Sequence, residues 1–178
     1  EIESQNENLL KKAQEMEVDL AERHRFYQAV RGTYEGKLKT EEGEFNVRIT
    51  LVPSLAPYQT NRTRQLDEIS SDLNNLYLLA QTLQWNPANR LSAVGCRIEH
   101  IRPDLVKGEV QIASENCPNF YLFRISDSSL SDENSRSSSE IATKIKERKI
   151  ERVSYLIGEI HPTTNAEIYG FSAKRKGE

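Results

Sequence analysis

Few residues of this chain combine a reactive side chain with the spacing that catalysis requires. The three histidines, His24, His100 and His161, fall on separate predicted elements, and no two of them have the spacing of a metal site. The sequence contains no nucleophile elbow, no phosphate-cradling glycine loop and no paired-carboxylate motif. We therefore predict a protein that is not an enzyme, with no catalytic residues, no metal and no cofactor.

A serine-rich stretch at 127–139 contains carboxylates, which are the ligand type of calcium sites. Asp127, Asp132 and Glu133 do not follow the spacing of an EF-hand loop, and the stretch lacks the glycine of that loop. Its low complexity predicts a mobile loop instead of a metal site.

The two cysteines, Cys96 and Cys117, flank one predicted strand. A disulfide between them would close a loop of about 20 residues and stabilise the fold by roughly 3 kcal/mol. The alternative is a pair of free, buried thiols in a cytosolic protein. We favour the disulfide, which predicts a periplasmic or other extracytoplasmic location.

The composition agrees with a modest core that carries long polar attachments. Apolar residues make up 37% of the chain, below the usual globular level, and charged residues make up 29%. The net charge of −3 and the single basic cluster, Lys174–Lys176, argue against a nucleic-acid partner. The apolar runs are too short to span a membrane. Because the chain begins at Glu1 and not at Met, we expect any membrane anchor to lie upstream.

The first 31 residues predict one long helix, which contains no Gly or Pro and stops at Gly32. Its apolar side chains follow the spacing of a coiled coil, and we call them, with one arginine, the seam: Leu9, Ala13, Met16, Leu20, Arg23 and Tyr27. Such a helix can pack on the domain, join it as a stalk to an anchor or partner helix, or pair with a second copy.

Strands dominate the remaining chain. Alternating apolar residues predict an antiparallel hairpin from Gly32–Leu38 and Gly43–Val52. Three more strands, Ala93–Ile101, Val106–Ala113 and Phe120–Ile125, are separated by turn signals. They predict a meander at the centre of an antiparallel sheet.

Residues 66–85 fit two structures. Leu66, Ile69 and Leu73 have helical spacing, but the compact apolar run that follows also suits a strand. We predict a helical turn at Leu66–Asp72 and a strand at Leu76–Trp85.

Near the C-terminus, Ser137–Ser139 can cap a helix at Glu140–Arg148, and a hairpin of Val153–Ile160 and Ala166–Ala173 follows. About eight sequential strands predict a mainly β fold over residues 32–175. We expect an antiparallel up-and-down barrel, closed or half open, with a long N-terminal helix and one short helix before the C-terminal hairpin.

Gly32, Tyr34, Gly36 and Leu38 follow an N-terminal helix, and this pattern resembles the opening strand of lipocalin-like (calycin) barrels. In that family a Gly-x-Trp element lies on the first strand, and a basic residue near the last strand packs across it. The resemblance implies that Tyr34 replaces the tryptophan and that Arg175 or Lys174 is the basic residue.

Aromatic side chains on the predicted strands either fill the core or line a barrel mouth that accepts an apolar molecule. The candidate lining residues are Tyr34, Phe45, Tyr77, Trp85, Phe123, Tyr155 and Tyr169.

These observations favour a non-enzymatic, exported barrel domain of the periplasmic or surface lipoprotein type that binds a partner protein or a ligand. One alternative is a lipocalin-like carrier of a small apolar ligand. Another is a scaffold protein that self-associates, or assembles with another chain, through a coiled coil of the N-terminal helix. We expect no nucleic-acid partner, and membrane contact only through an anchor outside this chain.

Overall fold

Eight antiparallel strands form one sheet that curls into a nearly closed barrel, with three helices attached. The computed structural model describes residues 2–40, 43–54, 66–85, 94–112, 119–128, 137–162 and 168–177. The predicted barrel is confirmed, together with the long N-terminal helix and the short helix before the last two strands. Within the described part of the chain, no helix is both long enough and apolar enough to cross a membrane.

The bounds of the elements are as follows. The helices are α1 (Ile2–Val30), α2 (Leu66–Asn75) and α3 (Ser138–Lys146). The strands are β1 (Gly32–Thr40), β2 (Gly43–Pro53), β3 (Leu78–Trp85), β4 (Val94–Ile101), β5 (Glu109–Ile112), β6 (Asn119–Ser126), β7 (Tyr155–Pro162) and β8 (Tyr169–Arg175).

The strand order is β4-β3-β2-β1-β8-β7-β6-β5, so a ladder between β1 and β8 lies in the middle of the sheet. In this ladder Tyr34 lies opposite Arg175, and Gly36 lies opposite Ala173. Strands β4 and β5 are the two ends of the sheet. The barrel is therefore split between two strands that follow one another in the chain.

This split corrects the prediction of a central three-stranded meander: β5 pairs with β6, but β4 pairs with β3 and forms no ladder with β5 in the described residues. After β4 the chain passes the buried Pro103 and folds back at Asp104. The Asp104 carboxylate accepts hydrogen bonds from the backbone N–H groups of Val106 and Lys107, at 3.0 and 2.9 Å. Residues 104–108 form a turn, so β5 has only four residues and the strand predicted at Val106–Ala113 is half as long as expected.

The helices all lie at one end of the barrel, which we call the helix end. The odd-numbered strands begin there and the even-numbered strands finish there, and α1, α2 and α3 each precede an odd-numbered strand. The turn at 104–108 is at the same end. The strand ends at the opposite rim are joined by residues outside the described ranges.

Side chains alternate between the barrel interior and the outer surface, as the spacing in β2 predicts. Val47, Ile49 and Leu51 are buried, whereas Asn46 and Arg48 are exposed. The interior continues through the buried side chains of the other strands, which include Tyr34, Leu38, Leu78, Ala80, Val110, Ile112, Tyr121, Phe123, Ile125, Leu156, Ile160, Phe171 and Ala173.

Helix α1 packs on the barrel over only part of its length. The seam residues Leu20 and Tyr27 are buried, and Ala13 and Met16 pack partly buried against the core. Residues 3–12 are exposed on every side. The helix thus packs on the domain from Ala13 onward, and its first turns extend away from it.

Two other helices differ slightly from the sequence prediction. Helix α2 ends at Asn75, three residues later than predicted, and β3 starts at Leu78, two residues later than predicted. Tyr77, just before β3, is bonded to the backbone and the side chain of Ser54. Helix α3 starts and ends two residues earlier than predicted. The hydroxyl of Ser137 caps it by accepting a hydrogen bond from the N–H of Glu140 at 3.3 Å.

Two glycines lie where neighbouring strands approach too closely for a side chain. A Cβ at Gly36 would lie 2.0 Å from the backbone oxygen of Ser172 on β8. A Cβ at Gly158 would lie 2.2 Å from the backbone oxygen of Leu122 on β6. Glycine at such positions allows the sharp strand bending that a closed barrel needs.

Replacing Gly36 by alanine should lower the free energy of unfolding by about 2 kcal/mol or more, because the clash is with backbone and no side-chain rotation relieves it. Urea unfolding followed by fluorescence measures this loss. The matched control is Gly170→Ala, where the nearest atom to the new Cβ is 3.9 Å away. The control should change stability by less than about 0.5 kcal/mol. Equal losses in both variants would contradict the role of Gly36.

Candidate functional site

The most elaborate polar cluster of the described chain joins the end of α1 to the barrel, and we call it the latch. It consists of Gly32, Tyr34 and Arg175 with the backbone oxygens of Ala29 and Val153. Arg175 donates from Nε to the oxygen of Val153 at 2.6 Å and from Nη2 to the oxygen of Ala29 at 2.8 Å. The last turn of α1 is therefore held by a side chain from the last strand.

Tyr34 completes this arrangement from the first strand. Its hydroxyl donates to the oxygen of Val30 at 2.6 Å and accepts from Nη2 of Arg175 at 3.0 Å. The Arg175 guanidinium also lies over the Tyr34 ring, 5.2 Å from its centroid. The basic residue that crosses the first strand is therefore Arg175 and not its exposed neighbour Lys174.

Gly32 makes room for the guanidinium. A Cβ at this position would lie 2.7 Å from Nη1 of Arg175, and the backbone φ of +138° is one that side chains other than glycine rarely adopt. Glycine is therefore required both by the conformation and by the contact. The sequence pattern contained Gly32, Tyr34 and Arg175, but it gave no sign of the two backbone oxygens, which belong to distant segments.

Burial raises the pKa of Tyr34 to about 12, although the neighbouring Arg175 acts in the opposite direction. The hydroxyl is thus neutral at ordinary pH and can donate and accept at the same time. Among the residues that the structure describes, no carboxylate pairs with Arg175, and its Nε and Nη2 atoms donate to neutral oxygens. This arrangement positions backbone segments and leaves no free nucleophile or base.

The predicted lining residues do not form one surface. Tyr34 and Phe123 lie in the interior and are fully buried, and Tyr169 shares that face but is only half-buried. Tyr155 lies opposite Ser126 and Lys174 in the ladders, on the face away from its buried neighbour Leu156, so it does not line the interior.

The other three predicted lining residues lie at the two ends of the barrel. Tyr77 precedes β3 at the helix end, where Arg102 donates to its hydroxyl at 3.3 Å and the His100 ring packs edge-on at 5.5 Å between centroids. The structure describes the backbone of Phe45 and of Trp85 but not their side chains.

The interior is filled where it is described. The rings of Tyr34, Tyr121, Phe123 and Phe171 have no more than 1% of their surface accessible to water. Rings that lined a solvent-filled hollow would be accessible to water within it. Side chains therefore pack against one another along β1, β6, β7 and β8.

The remaining candidate residues are dispersed. The Nε2 atom of His161 lies 3.2 Å from Oε2 of Glu159, and His24 and His100 are on other elements. Within the described ranges, no three residues of metal-ligating type come together. Cys96 is on β4, where its backbone lies opposite Thr82, and Cys117, Asp132 and Glu133 lie outside the described residues. The disulfide stays a prediction.

Comparison with protein-family models, with curated proteins and with solved structures finds no match for this chain. The proposed function therefore rests on the sequence and on the geometry of the described residues.

Arg175→Met should lower the free energy of unfolding by about 1–3 kcal/mol, because it removes the donor to the oxygen of Val153 and one of the two donors to the oxygen of Ala29, which keeps its bond from the N–H of Val153. The matched control is Lys174→Met, the same truncation of charge at an exposed position, with an expected change below about 0.5 kcal/mol. Chemical denaturation of both variants gives the comparison. A loss of similar size in the control would show that net charge, and not the latch, is responsible.

Stability should fall as the pH rises from 10 to about 12, because the raised pKa of Tyr34 means that the folded protein holds this proton more tightly than the unfolded chain. The contribution is complete below pH 10, and its loss approaches 1.4 kcal/mol per pH unit between the two pKa values. Unfolding titrations of wild type and Tyr34→Phe between pH 9 and 11 measure the difference in slope. Burial raises the pKa of Tyr27 as well, so the variant keeps part of the dependence. Identical slopes would contradict the assignment to Tyr34.

Proposed function

We propose that this chain is a non-enzymatic, exported β-barrel domain that binds a partner protein, and that the exposed first turns of α1 are the contact surface. The observation that carries the proposal is the unequal burial of the seam. Its spacing is regular, but its residues contact the domain only from Ala13 onward.

Leu9 continues the seam beyond the domain, and 52% of its surface is exposed. Its neighbour Leu10 is 61% exposed. A helix that presents large apolar side chains away from its own core has the form that partner proteins recognise when they accept an amphipathic helix in a groove. The two exposed leucines therefore favour a partner at this part of α1.

The exported location rests on the cysteines and agrees with the topology. Because β4 and β5 run in opposite directions, the start of β4 and the end of β5 lie at the same rim of the barrel. Cys96 is near the start of β4, and Cys117 is five positions after Ile112, the last residue of β5. The described strand ends nearest in sequence to the two cysteines thus lie at one rim, and this placement supports the proposed disulfide.

The two alternative functions draw less support. A carrier of the lipocalin type needs space in the barrel, and the buried rings of Tyr34 and Phe123 leave none at their level. A self-assembling scaffold would use the same leucines as the proposed partner surface, with a second copy as the occupant.

Photo-crosslinking in the native host tests the partner surface. A photoreactive amino acid at Leu9 should give one discrete crosslinked species, whose second component mass spectrometry identifies. The control position is Val18, which is 57% exposed on the same helix. Val18 is two residues from Leu20, so it points about 200° away around the helix from the seam. No adduct at Leu9, or equal adducts at both positions, would overturn the proposal.

The identity of the crosslinked component and the native mass spectrum of the purified chain separate the alternatives. A different protein at Leu9 and a monomeric native mass support the partner-binding domain. A second copy of this chain at Leu9, together with a dimer that Leu9→Glu dissociates, would replace it with the scaffold. A copurifying small mass would replace it with the carrier.

A denaturing mass spectrum without reductant tests the exported location. We expect a mass lower than the reduced chain by that of two hydrogens, because a bond between Cys96 and Cys117 removes both thiol hydrogens. Cys96→Ser should abolish the difference. An unreduced sample with the full reduced mass would remove the case for export and leave the partner surface on α1 to be judged by crosslinking.

A further inference from the structure

We draw no further inference here: the strongest candidate, the apolar groove of about 170 Å³ between α1, α3 and the turn at 104–108, lined in part by Phe26, Leu105, Val106 and Ile145, carries nothing because nothing in the structure shows what covers it.

Discussion

The guanidinium of Arg175 bonds the end of the long helix to the barrel, beside a backbone hydrogen bond from Val153 to Ala29. A cation that is partly withdrawn from water needs acceptors for its donors, and Arg175 donates from Nε and Nη2 to backbone oxygens of the segment before β7 and of the end of α1. Tyr34 adds a neutral acceptor and an aromatic face. The Arg175 side chain thus connects β8 to the end of α1, to β1 and to the segment before β7. The direction in which α1 leaves the barrel is set at this point.

Because α1 leaves the barrel in this direction, its seam is buried near the C-terminal end of the helix and exposed near the N-terminal end. Once the last turn of α1 is held by the latch, Leu20 and Tyr27 are placed on the core, and an ion pair of 3.6 Å between Glu22 and Lys146 joins α1 to α3. The helix is longer than the part of it that packs on the domain, which begins at Ala13. Its first turns consequently extend beyond the domain with Leu9 exposed. The proposed partner surface is therefore a geometric result of the latch and of the length of the helix.

Local patterns predicted most of the elements, because the forces that define them act between near neighbours. The alternation of Val47, Ile49 and Leu51 marks β2, and the serine cap marks the start of α3. The resemblance to a known barrel family pointed to Gly32, to Tyr34 and to Arg175 or Lys174. In the structure Gly32, Tyr34 and Arg175 lie together.

Interactions between distant or competing groups account for what the sequence could not predict. The alternation across Val106 and Gly108 suggested a strand, but the Asp104 carboxylate binds the backbone there and folds it into a turn. The face occupied by Tyr155 depends on the registers with β6 and β8, which no local pattern contains. In the same way, the point at which the seam leaves the domain depends on the size of the domain and not on the spacing of the seam.

The split between β4 and β5 divides the barrel into two contiguous halves, residues 32–101 and 109–175, of four strands each. Within each half, every ladder joins strands that follow one another in the chain, and so forms at a low entropic cost of loop closure. Among the ladders of the described residues, that of β1 with β8 alone joins the halves, and there Tyr34 and Arg175 are 141 positions apart. The strand pair that joins the two halves is therefore also the pair that carries the latch.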